Sequence, residues 1–185
     1  MTTRHDGPLL ARRILTGVDG ISRLLALVAA LALILLAGNI FLDVLGRWLF
    51  NQPIRGTLEV TANWWMPTLT LLAFAYTERK QEHIKVTILL DGLPLRLRQY
   101  VEGVFSLIAT VLLIALAWHT MNDAIKSWGF GEITASSPPI AIWPFKFVAL
   151  AGVAALALQM AATSYRYFAG LLPLPHMLET EADLA

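Results

Sequence analysis

The chain has 185 residues, of which 57% are hydrophobic and only 15% charged, and its mean hydropathy is +0.62. A soluble domain is roughly 45–50% apolar and about 25% charged, so this composition excludes an ordinary soluble domain and points to a membrane protein. A net charge of +1 leaves no excess for gripping nucleic acid, and the absence of cysteine removes disulfides, thiolate metal sites, thiol redox chemistry and cysteine lipidation.

Arg12, Arg13 and Asp19 lie off an apolar stripe of Leu10, Ile14, Val18 and Ile21, a spacing that predicts a basic amphipathic helix over about 8–20 on the inner membrane surface. The first long apolar run, 24–42, is too long for a signal-peptide core and is followed by further runs, so it reads as a retained span. A second span, 58–76, is apolar apart from Glu59, Asn63 and a few threonines. Ile84, Ile88 and Leu89 then suggest a second interfacial helix over about 82–92, broken by Asp91-Gly92. Pro94 can start the next helix, which contains a span at about 102–124. Continued to Lys126, that helix is roughly 33 residues, or about 50 Å at 1.5 Å per residue. Gly129, Gly131, Ser136, Ser137, Pro138 and Pro139 predict an irregular outer loop over 127–141, before a last span at 142–165. The expected fold is therefore an all-α integral membrane protein, a single domain over 1–185 with four transmembrane helices and interfacial amphipathic helices.

Basic residues collect in cytoplasmic loops. Arg4, Arg12, Arg13, Arg23, Arg79, Lys80, Lys85, Arg96, Arg98 and Arg166 fall on one side of the four spans, against Arg47, Arg55, Lys126 and Lys146 on the other. This bias predicts both termini in the cytoplasm. Trp128 and Trp143 flank the outer loop at headgroup depth, and Trp48, Trp64 and Trp65 suit a similar belt near the turn between the first two spans, with a deeper position open to Trp64 and Trp65.

Ionisable groups at membrane depth are costly and face protein or water. Asn39, Asp43 and Arg47 line one face at the outer end of the first span, and Glu59 and Asn63 share a face at the start of the second. The short turn brings these stripes to one level, so Arg47 can pair with Glu59 across the hairpin or with Asp43 along its own helix. These five residues read as a packing clasp or a subunit contact, because no polar path continues inward from them. In the last span, Ala151/Ala155, Ala157/Ala161 and the nearby Gly152 permit close helix approach, as does Ala26/Ala30 in the first. His5, His83, His119 and His176 do not form a bis-histidine haem pattern, and no P-loop or catalytic triad is present. Neither a catalytic residue, a cofactor site nor a metal site is expected.

Three segments resemble the small membrane subunit (DctQ-like) of tripartite ATP-independent periplasmic (TRAP) transporters. They are Arg47-Trp48-Leu49-Phe50-Asn51-Gln52-Pro53-Ile54 leading to Glu59, then Glu82-His83-Ile84-Lys85-Val86, then Pro139-Ile140-Ala141-Ile142-Trp143-Pro144 before a span containing Gln159. Leu58 stands where the family often has a first acid, and Thr87 replaces a frequent aspartate. The resemblance implies a non-catalytic small permease subunit in the bacterial inner membrane. It would scaffold a large, sodium-coupled membrane subunit that imports an organic anion, a carboxylate or sialic acid, delivered by a periplasmic binding protein that docks transiently. From the residues alone, an autonomous small exporter using Glu59 and a membrane-anchor subunit of another complex stay open.

Overall fold

The computed structural model describes residues 9–80, 94–136 and 138–171. It is helical throughout apart from an isolated antiparallel bridge between Ile133 and Ala141. Helix α1 is Leu9–Phe50. Helix α2 runs without a break through Thr57–Val60, Thr61–Trp65 and Met66–Lys80. Helices α3, Leu95–Gly129, and α4, Trp143–Phe168, complete the bundle. Helix α4 is central and packs against each of the others, α2 lies against both α1 and α4, and α3 rests on α4.

The expected interfacial helix at 8–20 and the first span are one helix of 42 residues. Ser22, Ala29, Leu36 and Asp43 recur every seventh residue, with Ala32 between them, so one narrow seam holds the helix in the bundle from Ser22 onward. Asp19, expected off the stripe, is tied to α4 and α2, as described below. The second interfacial helix, 82–92, lies outside the described residues.

Helices α1, α3 and α4 are each long and apolar enough to cross a bilayer by length and composition; α2 is not. The expectation of four spans is thus met by three helices on that criterion. Helix α2 spends its length on inward polar side chains, with Thr57, Thr61, Thr68 and Glu78 buried beside Leu72 and Ala75. It also contains a widened turn at Thr61–Trp65, closed by Met66 N–H donating to the Thr61 carbonyl five residues back. Pro67 is the physical cause: it has no N–H, and its ring clashes with the carbonyl four residues earlier, so the preceding turn expands.

Helix α3 follows the expectation at its start, with Pro94 in the extended cap position. Its buried stripe is polar, comprising Arg98, Glu102, Ser106 and Thr110, while Val104, Phe105, Ile108, Val111 and Leu112 face outward. A bundle in lipid can bury its polar residues and expose its apolar ones because the surrounding solvent is hydrocarbon. The small residues of α4 divide: Gly152, Ala155 and Ala157 are buried, whereas Ala151 is exposed. A Cβ on Gly152 would lie 2.8 Å from the Leu71 backbone, so glycine there sets the α2–α4 separation.

Candidate functional site: two polar clasps and an outer latch

The hairpin between α1 and α2 is built around Asp43. Helix α1 ends at Phe50, and Asn51 follows in the left-handed region at φ 52°, a conformation asparagine tolerates better than most residues. The chain turns through Gly56 at φ 86°, where a Cβ would meet Ile140 of the other outer loop at 3.1 Å. This turn returns Ile54 and Thr57 to the buried carboxylate. Asp43 Oδ1 accepts from the Ile54 N–H at 2.7 Å and from the Thr57 hydroxyl at 3.3 Å. Its Oδ2 accepts from Arg47 Nε at 2.8 Å and Nη2 at 2.7 Å, a two-pronged pair along one helix.

Of the two pairings open to Arg47, the structure has the one with Asp43, and the cross-hairpin pair with Glu59 is not formed. Glu59 stands half-buried in the first turn of α2. Asn63 donates its amide to the Glu59 backbone carbonyl at 2.9 Å, four residues back. Asn39 sits one turn below Asp43, with its amide oxygen buried and without a hydrogen-bond partner. The five expected residues therefore do not act as one cluster. Asp43 and Arg47 close the turn, while Asn39, Glu59 and Asn63 stand beside it.

A second polar clasp lies at the opposite end of the bundle. Gln159, fully buried on α4, accepts from Ser22 Oγ of α1 at 2.9 Å and donates to Asp19 Oδ1 at 3.3 Å. Asp19 also takes Arg166 Nη2 of α4 at 2.8 Å and Arg79 Nε of α2 at 3.6 Å. One carboxylate thus joins three helices. The sequence reading missed this network because its members are separated by up to 147 residues. The available signal was Gln159, a lone amide in the apolar stretch of α4 between Lys146 and Thr163.

The outer loop is irregular, as expected, apart from a single bridge between Ile133 and Ala141. Thr134 N–H donates to the Ile140 carbonyl at 2.8 Å and Ile142 N–H to the Glu132 carbonyl at 3.0 Å, forming a narrow antiparallel pinch. Lys146 Nζ reaches Glu132 Oε2 at 2.6 Å and Asp123 Oδ2 at 3.0 Å, latching the loop to α3 and α4. Ser127 Oγ also donates to Glu132, at 2.5 Å. The hydrogen bonds from Lys146 and then Ser127 hold the Glu132 carboxyl below the usual glutamate range. Trp64, half-buried beside the outer loop, stacks on Phe145 with centroids 4.3 Å apart and donates to the Ala141 carbonyl at 3.0 Å.

These arrangements define a helical membrane component whose charged groups mostly serve its own packing. The chain belongs to the DctQ component family of tripartite ATP-independent periplasmic transporters, whose profile matches residues 36–170. It is 26% identical over 113 residues to the ectoine TRAP transporter small permease protein TeaB of Halomonas elongata. That match covers 61% of this chain and 58% of the relative. The chain is a multi-pass protein of the bacterial inner membrane.

Proposed function

We propose that this chain is the small, non-transporting permease subunit that scaffolds the large membrane subunit of a sodium-coupled TRAP transporter. One observation carries the reading: the charged networks sit at the two ends of the bundle, and among the described residues the buried polar residues between them carry hydroxyls, such as those of Thr68 and Thr110, which donate to carbonyls of their own helices. Between Ser22 and Asp43 the buried positions of α1 are Ala29, Ala32 and Leu36. Those of α4 are Gly152, Val153, Ala155 and Ala157 before Gln159 is reached. Such an interior supports helix packing and offers a solute or proton no chain of ionisable groups. All four helices cross the membrane in this reading, with α2 carried by its packing between α1 and α4, and both termini lie in the cytoplasm.

The cargo is an organic anion of the carboxylate or sialic acid class, handed to the large subunit by a periplasmic binding protein. The relative's name adds ectoine to the candidates. Reconstitution tests the proposal. Liposomes holding this chain alone should take up no labelled solute, whereas liposomes with the large subunit and an external binding protein should show uptake driven by an inward sodium gradient. Uptake by the chain alone would overturn it and favour an autonomous carrier.

A further inference from the structure

Three side-chain polar atoms on α1 and the widened turn of α2 are buried and have no hydrogen-bond partner among the described residues: Asn39 Oδ1, Thr61 Oγ1 and Trp65 Nε1. Each departs from its neighbours. Thr68, Thr77, Thr110 and Thr120 all donate to the carbonyl four residues earlier, whereas the hydroxyl of Thr61, a residue 9% exposed, does not. Trp64 donates its indole N–H to the Ala141 carbonyl, whereas the indole of Trp65 beside it donates to no described group. Asn39 is the member of the polar stripe on α1 that the Asp43 clasp leaves out.

The hairpin sets these atoms at one level. Asp43 meets Thr57 at 3.3 Å, and the two helices run antiparallel, so one turn deeper on each places Asn39 opposite Thr61. Helix α1 packs directly on the widened turn. Helical side chains lean toward the N-terminus of their own helix, which carries the Trp65 indole back toward Thr61 and the Asn39 amide toward Trp65. The widening adds an unmet main-chain group. Met66 gives its N–H to Thr61 and Pro67 has none, so the Ala62 carbonyl receives neither of the N–H groups that could close a helical turn on it. A buried polar group without a partner is costly, most of all in hydrocarbon, and ordered water is one of the means that meets groups freed by a proline. The atoms themselves select the ligand. An indole N–H only donates, which disfavours a cation, and an amide oxygen only accepts, which disfavours an anion. Water does both, and a buried water makes about three hydrogen bonds.

We propose that a water molecule is bound between α1 and α2 at the widened turn, accepting from Trp65 Nε1, donating to Asn39 Oδ1 and sharing a hydrogen bond with the Thr61 hydroxyl. It fastens the hairpin about 6 Å deeper than Asp43 does, at a level where neither helix offers the other a charged group. Asn39 thereby holds α1 to α2 through the water.

The six tryptophans give six indole signals in the full chain labelled with 15N-tryptophan and held in lipid nanodiscs, and Trp64→Phe and Trp65→Phe assign the two that matter. The Trp65 indole proton should show a nuclear Overhauser peak to water, although burial screens it from bulk solvent. Asn39→Leu combined with Thr61→Val removes two of the three partners and should abolish that peak. The Trp64 indole shift, which reports the fold beside the outer loop, should stay where it is. Thr61→Val alone, a smaller change, should weaken the peak. Absence of a water peak at Trp65 in the wild type would overturn the proposal. So would a peak of full strength in the double variant, because its source would then be bulk water and not a molecule held by Asn39 and Thr61.

Discussion

Gly152→Ala tests the closest helix approach in the bundle. The added Cβ would sit 2.8 Å from the carbonyl carbon, the carbonyl oxygen and the Cβ of Leu71. Carbon atoms in good contact are about 3.5–4.0 Å apart, so the overlap is roughly 0.7–1.2 Å. Two of the three obstructing atoms are backbone, so α2 and α4 must separate. A gap of about 0.5–1 Å already forfeits a quarter to a half of each neighbouring dispersion contact, and Leu72, Ala75, Val153 and Ala155 are all buried. Overpacking of this kind costs about 1–3 kcal/mol, against a gain of up to about 1 kcal/mol in helix propensity. The net loss should be about 1–2 kcal/mol, which corresponds to a melting temperature lower by roughly 2–8 °C for a chain of this size. Gly38→Ala is the control, since nothing lies within 4 Å of its Cβ position, and it should not lower the melting temperature. Thermal unfolding of detergent-solubilised protein, followed by circular dichroism, measures both. If Gly152→Ala melts with Gly38→Ala at or above the wild type, α2 and α4 do not approach as described.

Other expectations concern the clasps. Gln159→Leu removes the amide that joins Ser22 to Asp19 and should cost about 1–2 kcal/mol in the same assay, with Asp19 still held by Arg166. Asp43→Ala should lower the melting temperature more than Arg47→Ala, because Asp43 also anchors Ile54 and Thr57 while the Arg47 side chain is 56% exposed; the opposite order would show that the hairpin does not turn on Asp43. The depressed value of Glu132 makes the outer latch pH-dependent. Its contribution is complete above the ordinary glutamate range and is lost as pH falls through the lowered value. Protease cleavage within 130–142 should therefore rise on acidification, and Lys146→Gln should raise it already at neutral pH.

Hydropathy and helical spacing were enough to reveal the membrane class, the long helix after Pro94 and the face shared by Asn39, Asp43 and Arg47, because each is a local property of the chain. The resemblance carried by Arg47–Ile54 and Pro139–Pro144 pointed to the right family. The partner of Arg47 was not legible, since Asp43 and Glu59 were equally reachable until the turn at Gly56 placed Ile54 and Thr57 around Asp43. Asp19 was misplaced for a related reason. Its role depends on Gln159 and Arg166, and a tertiary pair leaves no periodic trace in either segment. The outer loop is irregular, as its glycines and prolines implied, but the latch of Lys146 on Glu132 and Asp123 was not legible because its members come from three separate segments. Pro67 carried a usable sign of the widened turn in α2 that the apolar pattern concealed.

The buried seam of α1 begins at Ser22 and ends at Asp43, each with polar partners. At 1.5 Å per residue they are about 32 Å apart, close to the roughly 30 Å thickness of a bilayer's hydrocarbon core. Helix α1 therefore works as a ruler with a polar mark at each end. In a bilayer of average thickness both marks reach the headgroups with the helix nearly upright. In a thinner one the bundle must tilt or lift apolar surface into the headgroups, and in a thicker one a mark is drawn into hydrocarbon, each at a cost of a fraction of a kcal/mol per Å. The angle at which this subunit stands is thus coupled to the lipid that surrounds it.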